Sequence, residues 1–202
     1  MAIERLFVKE GIKESEVEEY LRNKFERAGY SHTLIERTPL GTRIIIFAQK
    51  PGLVIGRSGR RINDIAEEIK AKFGFENPLV DVKEVDNPFM DANIIANRIA
   101  RAIEKGINFK KVANYYLEKV TEAGAIGISI HVGGKLAGSE RSRFQKFKRG
   151  FVAFSGEYAD RLVDKGNARG KIKPGVVGIK VFIMREMPKE VELKEDAEEA
   201  KK

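Results

Sequence analysis

Cysteine is absent from this 202-residue chain, which excludes disulfides and thiolate metal centres. Long apolar runs are missing too. The longest, such as Ile44–Ala48, are strand-sized and far short of a membrane span. At the N-terminus, Glu4 interrupts the chain before any signal-like stretch develops. These absences lead to the expectation of a soluble, non-secreted, cytoplasmic protein with no membrane partner. Groups for chemistry are equally sparse. The two histidines, His32 and His131, stand far apart in strand-like stretches with no ligand cluster around them. No metal, cofactor or catalytic residue is expected from them. Gly133–Gly138 misses the spacing of a dinucleotide fingerprint and a Walker lysine is absent, which argues against nucleotide hydrolysis.

What the chain does have is charge. Charged residues make up 34% and apolar residues 42%, a globular body with a densely charged surface. Thirty-eight Lys and Arg oppose thirty Asp and Glu, for a net charge of +8 and a pI near 9.5. Such a balance favours a polyanionic partner.

The periodicity yields an element order. Ser15 and Glu18 have capping-box spacing, and Val17, Tyr20, Leu21, Phe25 and Ala28 follow as one helical face up to Gly29. Strands are expected around His32–Arg37 and Thr42–Ala48, with Pro39-Leu40-Gly41 as the turn between them. A second helical face runs through Ile62, Ile65, Ile69 and Phe73 to Gly74, and Val80, Val82 and Val85 mark a third strand. Asn87-Pro88 reads as a boundary. Beyond it, Ile95, Ile99, Ala102 and Ile103 line one helix, and Val112, Tyr116, Leu117 and Val120 another. Ile126, Ile128, Ile130 and Val132 alternate as a strand does, and so do Val177, Ile179, Val181 and Ile183. The expected organisation is therefore a unit at 1–86, a second at 87–188 and a charged tail at 189–202. Its fold class is α+β.

The sharpest feature is Gly56-Arg57-Ser58-Gly59, read as the loop of a strand-loop-helix passage between Val54-Ile55 and a basic helix start. Glycines without Cβ let the main chain approach a sugar-phosphate strand, and the helix that begins here directs free N–H groups at the same phosphates. Arg57, Arg60 and Arg61 add guanidinium donors, and Ser58 is small and offers a hydroxyl. Some flanking aliphatics must anchor the loop while one or two form an apolar floor for bases. Such a loop clamps about four nucleotides of single strand.

A second basic stretch carries Lys135, Arg141, Arg143, Lys146, Lys148 and Arg149 against Glu140 alone, with Phe144, Phe147, Phe151 and Phe154 interleaved. The reading is that the phenylalanines lie mostly in the core and the cations mostly on RNA. Lys165, Arg169, Lys171 and Lys173 form a further basic stretch among glycines.

The Val-Ile-Gly-x-x-Gly-x-x-Ile signature at 54–62, after a helix and a hairpin and before a late strand, resembles a type II K-homology domain. Gly124–Ile128, Val132–Glu140 and Gly175–Val181 extend the likeness over nearly the whole chain. Together they resemble the S-three family of small-ribosomal-subunit proteins in its archaeal-like version. The resemblance implies an N-terminal type II K-homology domain (α-β-β-α-α-β) and a second α/β domain with helices on a small mixed or antiparallel sheet. It further implies a structural, non-enzymatic place in the head of the small subunit and binding to small-subunit ribosomal RNA. Family members help line the path by which messenger RNA enters, and neighbouring head proteins of the S-ten and S-fourteen types are implied partners. Lys110 and Lys111 fall where the family's basic residues face messenger RNA, whereas Asn114 replaces a basic residue of bacterial relatives. Two other readings compete: a DNA-repair lyase acting at abasic sites through a nucleophilic lysine, and a free regulatory RNA-binding protein.

Overall fold

A computed structural model describes residues 3–38, 41–75, 77–136, 138 and 140–187. The Pro39-Leu40 part of the expected turn and the tail at 189–202 lie outside them. The chain divides into two compact units, Met1–Asp86 and Asn87–Lys202.

The first unit has the order α1 (Ile3–Phe25), a short 3₁₀ turn, β1 (Tyr30–Thr38), β2 (Gly41–Ala48), α2 (Pro51–Ile55), a second 3₁₀ turn, α3 (Arg60–Phe73) and β3 (Leu79–Glu84). β1 and β2 run antiparallel and β3 joins β2 in parallel. The helices cover the sheet face bearing Ile44, Ile46 and Ala48, and Val17, Leu21, Phe25, Val54, Ile65 and Ile69 complete this core. Two expectations need correction. Ser15 is not a cap, because α1 begins well ahead of it. Arg37 on β1 pairs with both Glu10 and Glu14, which ties the turns before Ser15 to the sheet. The residues preceding the glycine loop are helical too, so the passage is helix–loop–helix. Pro51 at the first position of α2 has the φ a helix start needs and no N–H to lose.

The second unit contains α4 (Ala92–Glu104), α5 (Phe109–Glu122), β4 (Gly127–Gly134), β5 (Arg143–Gly150), α6 (Glu157–Arg161), β6 (Val163–Ile172) and β7 (Gly175–Met184). The four strands form one antiparallel sheet in the order β5-β4-β7-β6. Alternation does what it should: Ile128, Ile130 and Val132 of β4 and Val177, Ile179, Val181 and Ile183 of β7 are all buried. α4 lies over β6 and β7, and α5 over β4 and β5. Asp91 caps α4 by accepting from the Ile94 N–H at 3.0 Å, and Asn108 caps α5 by accepting from that of Lys110 at 3.0 Å.

α4 approaches the sheet closely because small residues meet. A Cβ at Gly166 would stand 2.2 Å from the Ala92 carbonyl group, and one at Gly170 would stand 3.3 Å from the Ala100 oxygen. No helix among the described residues is long and apolar enough to cross a membrane.

Candidate nucleic-acid interface

The glycine loop joins α2 to α3. Gly56 ends α2 at φ 74, ψ −174, a region closed to residues with a side chain. Arg57, Ser58 and Gly59 make a single 3₁₀ turn, and Gly59 enters α3 at φ 72, ψ 4. The two glycines have different tasks. A Cβ at Gly56 would lie 2.6 Å from the Arg61 Cβ, whereas one at Gly59 would meet nothing within 4 Å. Packing therefore demands the first glycine. At the second, the backbone angle demands it and the space above stays open.

Among the described residues no side chain caps the start of α3, and its first turn holds no acidic residue. The Arg60 N–H donates to the Arg57 carbonyl; the N–H groups that follow it and the positive end of the dipole are left for an external anion. Arg57, Arg60 and Arg61 are all exposed. Arg61 also folds back, donating to the Leu53 carbonyl at 3.0 Å and lying 5.8 Å from the Phe25 ring centroid, so part of its capacity braces α2. The flanking aliphatics divide: Val54 is fully buried and anchors the turn, while Leu53 and Ile55 are 47% and 38% exposed and supply an apolar margin.

In the second unit, Lys110 and Lys111 are exposed in the first turn of α5, and Asn114 is exposed one turn later. Lys135, immediately after β4, and Arg141, before β5, are also exposed. The pleat of β5 splits the basic stretch. Lys146 and Lys148 share one face of the sheet with Phe144, while Arg143, Phe147 and Arg149 fall on the other. The expectation that the phenylalanines are mostly core is wrong for three of the four. Phe147 packs on the core and meets Phe109 edge-on at 6.3 Å. Phe144, Phe151 and Phe154 are 59%, 42% and 53% exposed. β5 is an edge strand with helices on one side only, so Phe144 has no core to enter.

Sequence reasoning missed Lys180 and Phe182, which β7 carries onto the same face as Lys146 and Lys148. The alternation of Val177–Ile183 marked β7 itself, and its intervening positions were the available signal. His131 stands in the middle of this face. Burial, then Lys146 and Lys180, hold its imidazole below the usual histidine range. Among the described residues no group of His, Asp or Glu could hold a metal ion.

A three-stranded sheet with a glycine-gated helix start, followed by a second unit rich in exposed cations, defines an RNA-binding protein of the K-homology class. Comparisons agree: the family described as "KH domain" matches residues 16–89, and "Ribosomal protein S3, C-terminal domain" matches residues 99–183. A small ribosomal subunit protein uS3 of Methanocaldococcus jannaschii is 47% identical over 199 residues, covering 97% of this chain and 95% of its own. That of Methanococcus aeolicus is 44% identical over 194 residues, covering 96% and 91%. The chain belongs to the uS3 family of small-ribosomal-subunit proteins.

Proposed function

We propose that the Gly56–Gly59 turn grips a single strand of small-subunit ribosomal RNA. Its backbone is the floor, Arg57, Arg60 and the free donors of Arg61 are the anion contacts, and Ser58 is a small residue at the point of closest approach. The observation that carries this reading is the open space at Gly59 beside an uncapped helix start. As a uS3 family member the chain is a structural, RNA-binding constituent of the cytoplasmic small ribosomal subunit and not an enzyme. The finer assignment divides the chain at residue 86 into the loop-bearing K-homology domain and a C-terminal domain to 188. In the latter, Lys135, Arg141, Arg143 and Arg149 add phosphate contacts, as do Lys146 and Lys148. Lys110 and Lys111 face incoming messenger RNA, for which their exposure in the first turn of α5 gives support. Asn114 leaves that site with one cation fewer than in bacterial relatives. Neighbouring head proteins of the S-ten and S-fourteen types complete the proposed partners.

A lyase finds no support in the lysines whose titration is displaced. Lys24, where burial opposes but hydrogen bonds to Glu68 and Tyr20 outweigh it, and Lys119, bonded to Glu122, are both held above the usual range. An amine nucleophile needs the reverse.

The test is Gly59→Asp. Carboxylate repulsion and a blocked approach should weaken single-stranded RNA binding at least tenfold, while circular dichroism shows the fold retained. Unchanged affinity in the folded variant would defeat the assignment. A chain that does not sediment with the small subunit would argue instead for a free regulator.

A further inference from the structure

α4 and α5 cover one face of the C-terminal sheet; on the other, Val152 and Leu162 pack with Val163, Phe182 and Met184 at one end, and the rest of that face stays open. Across the open face runs the row Lys146–His131–Lys180–Asn167, with Lys148 and Phe182 in the row on one side and Phe144 and Arg169 in the row on the other. The one acidic residue in these four strands, Asp164, points to the opposite face, where it accepts from the Ala92 N–H at 2.9 Å. Lys165 is engaged by Asp160 at 2.7 Å. Lys146, Lys148, Arg169 and Lys180 have no ion-pair partner among the described residues.

Aromatic rings fill the space between these cations. His131 lies 5.6 Å from Phe144, 5.1 Å from Phe182 and 5.9 Å from Phe154, the last nearly parallel at 23°. Lys146 sits 5.6 Å from the Phe144 centroid and Lys148 5.7 Å from that of Phe154. Folding alone gives no reason to expose Phe144 on a sheet face whose strand charges share one sign, or Phe154 in the segment that lies over it. The rings lose burial and the lysines repel one another. A partner that offers flat apolar surfaces and regularly spaced negative charge removes both costs. Single-stranded RNA does so, whereas a duplex hides its base faces in the stack.

We propose that this open face is a second single-stranded RNA site, separate from the glycine loop, in which bases stack on Phe144 and Phe154 while Lys146, Lys148, Lys180 and Arg169 hold the phosphates. His131 and Phe182 are positioning residues that support the two outer rings from beneath.

The experiment uses the full chain carrying Gly59→Asp, with the unmodified chain in parallel, and a short single-stranded RNA containing 2-aminopurine. Phe144→Leu with Phe154→Leu should weaken binding roughly tenfold per base unstacked and abolish the fluorescence quenching, with the salt slope unaltered. Lys146→Gln, Lys148→Gln and Lys180→Gln together should instead lower the log–log salt slope by roughly 0.7 per phosphate, about 2 in all. Both variants replace exposed side chains, and thermal melts check that the fold persists. The proposal is overturned if the folded leucine variant keeps full affinity and quenching, or if a hairpin of equal length binds as tightly as the single strand. It is also overturned if the ring effect vanishes once Gly59→Asp is present. Loss of the loop's own affinity is read separately, from Gly59→Asp alone.

Discussion

Two glycines of one motif answer to different physics, and substitution separates them. Gly56→Ala brings a methyl into the Arg61 side chain and forces a backbone region that only glycine adopts freely. Overpacking and strain together should cost roughly 2–4 kcal/mol. Gly59→Ala faces no steric neighbour and should cost only about 1–2 kcal/mol, the left-handed penalty. Urea unfolding of the two variants checks this, and the reverse ranking would show that the loop is built otherwise. The motif itself was legible in the sequence, because its flanking Val54, Ile55 and Ile62 gave the glycines a context. Which glycine serves packing was not, since that depends on where Arg61 returns against α2. Nor could the exposure of Leu53 and Ile55 beside a buried Val54 be read from three consecutive aliphatics.

At the scale of elements, regular apolar alternation was readable and its absence was misleading. β4 and β7 announce themselves through Ile128–Val132 and Val177–Ile183, each buried on the helix side. β5 does not, because an edge strand with exposed Lys146, Lys148 and Arg149 has little apolar periodicity, and its Phe144 faces away from the core. β6 hides for another reason: its inward positions are Gly166, Ala168 and Gly170, too small to register as an apolar stripe. Those small residues are what let α4 lie close to the sheet, with Ala92 over Gly166 and Ala100 over Gly170. Gly166→Ala should therefore push α4 outward and destabilise the second unit by about 1–3 kcal/mol. A lowered unfolding midpoint with unchanged RNA affinity of the folded protein is the expected result. A neutral effect would mean that helix and sheet are not in contact there. The late start expected for α1 has a similar origin: local capping chemistry at Ser15 suggested a boundary, and the non-local pairing of Arg37 with Glu10 and Glu14 overrides it.

For the whole molecule, the excess of +8 says only that a polyanion is favoured; where the cations are placed gives the reading its content. Each unit has its own core, and on the proposed reading each has its own route to RNA: a glycine-gated helix start in the first, and in the second a set of exposed lysines and arginines that the pleat of the sheet sorts onto two faces. Family membership settles the assembly to which the chain belongs, and the geometry says which of its surfaces are suited to touch nucleic acid. The most direct measurement is ultraviolet cross-linking of purified small subunits, followed by mass spectrometry of the peptides from this chain. Ribonucleotide adducts within Pro51–Arg61 are predicted. A subunit that contains the chain in full amount, yet yields adducts elsewhere in it and none in that segment, would contradict the claim that the loop holds RNA.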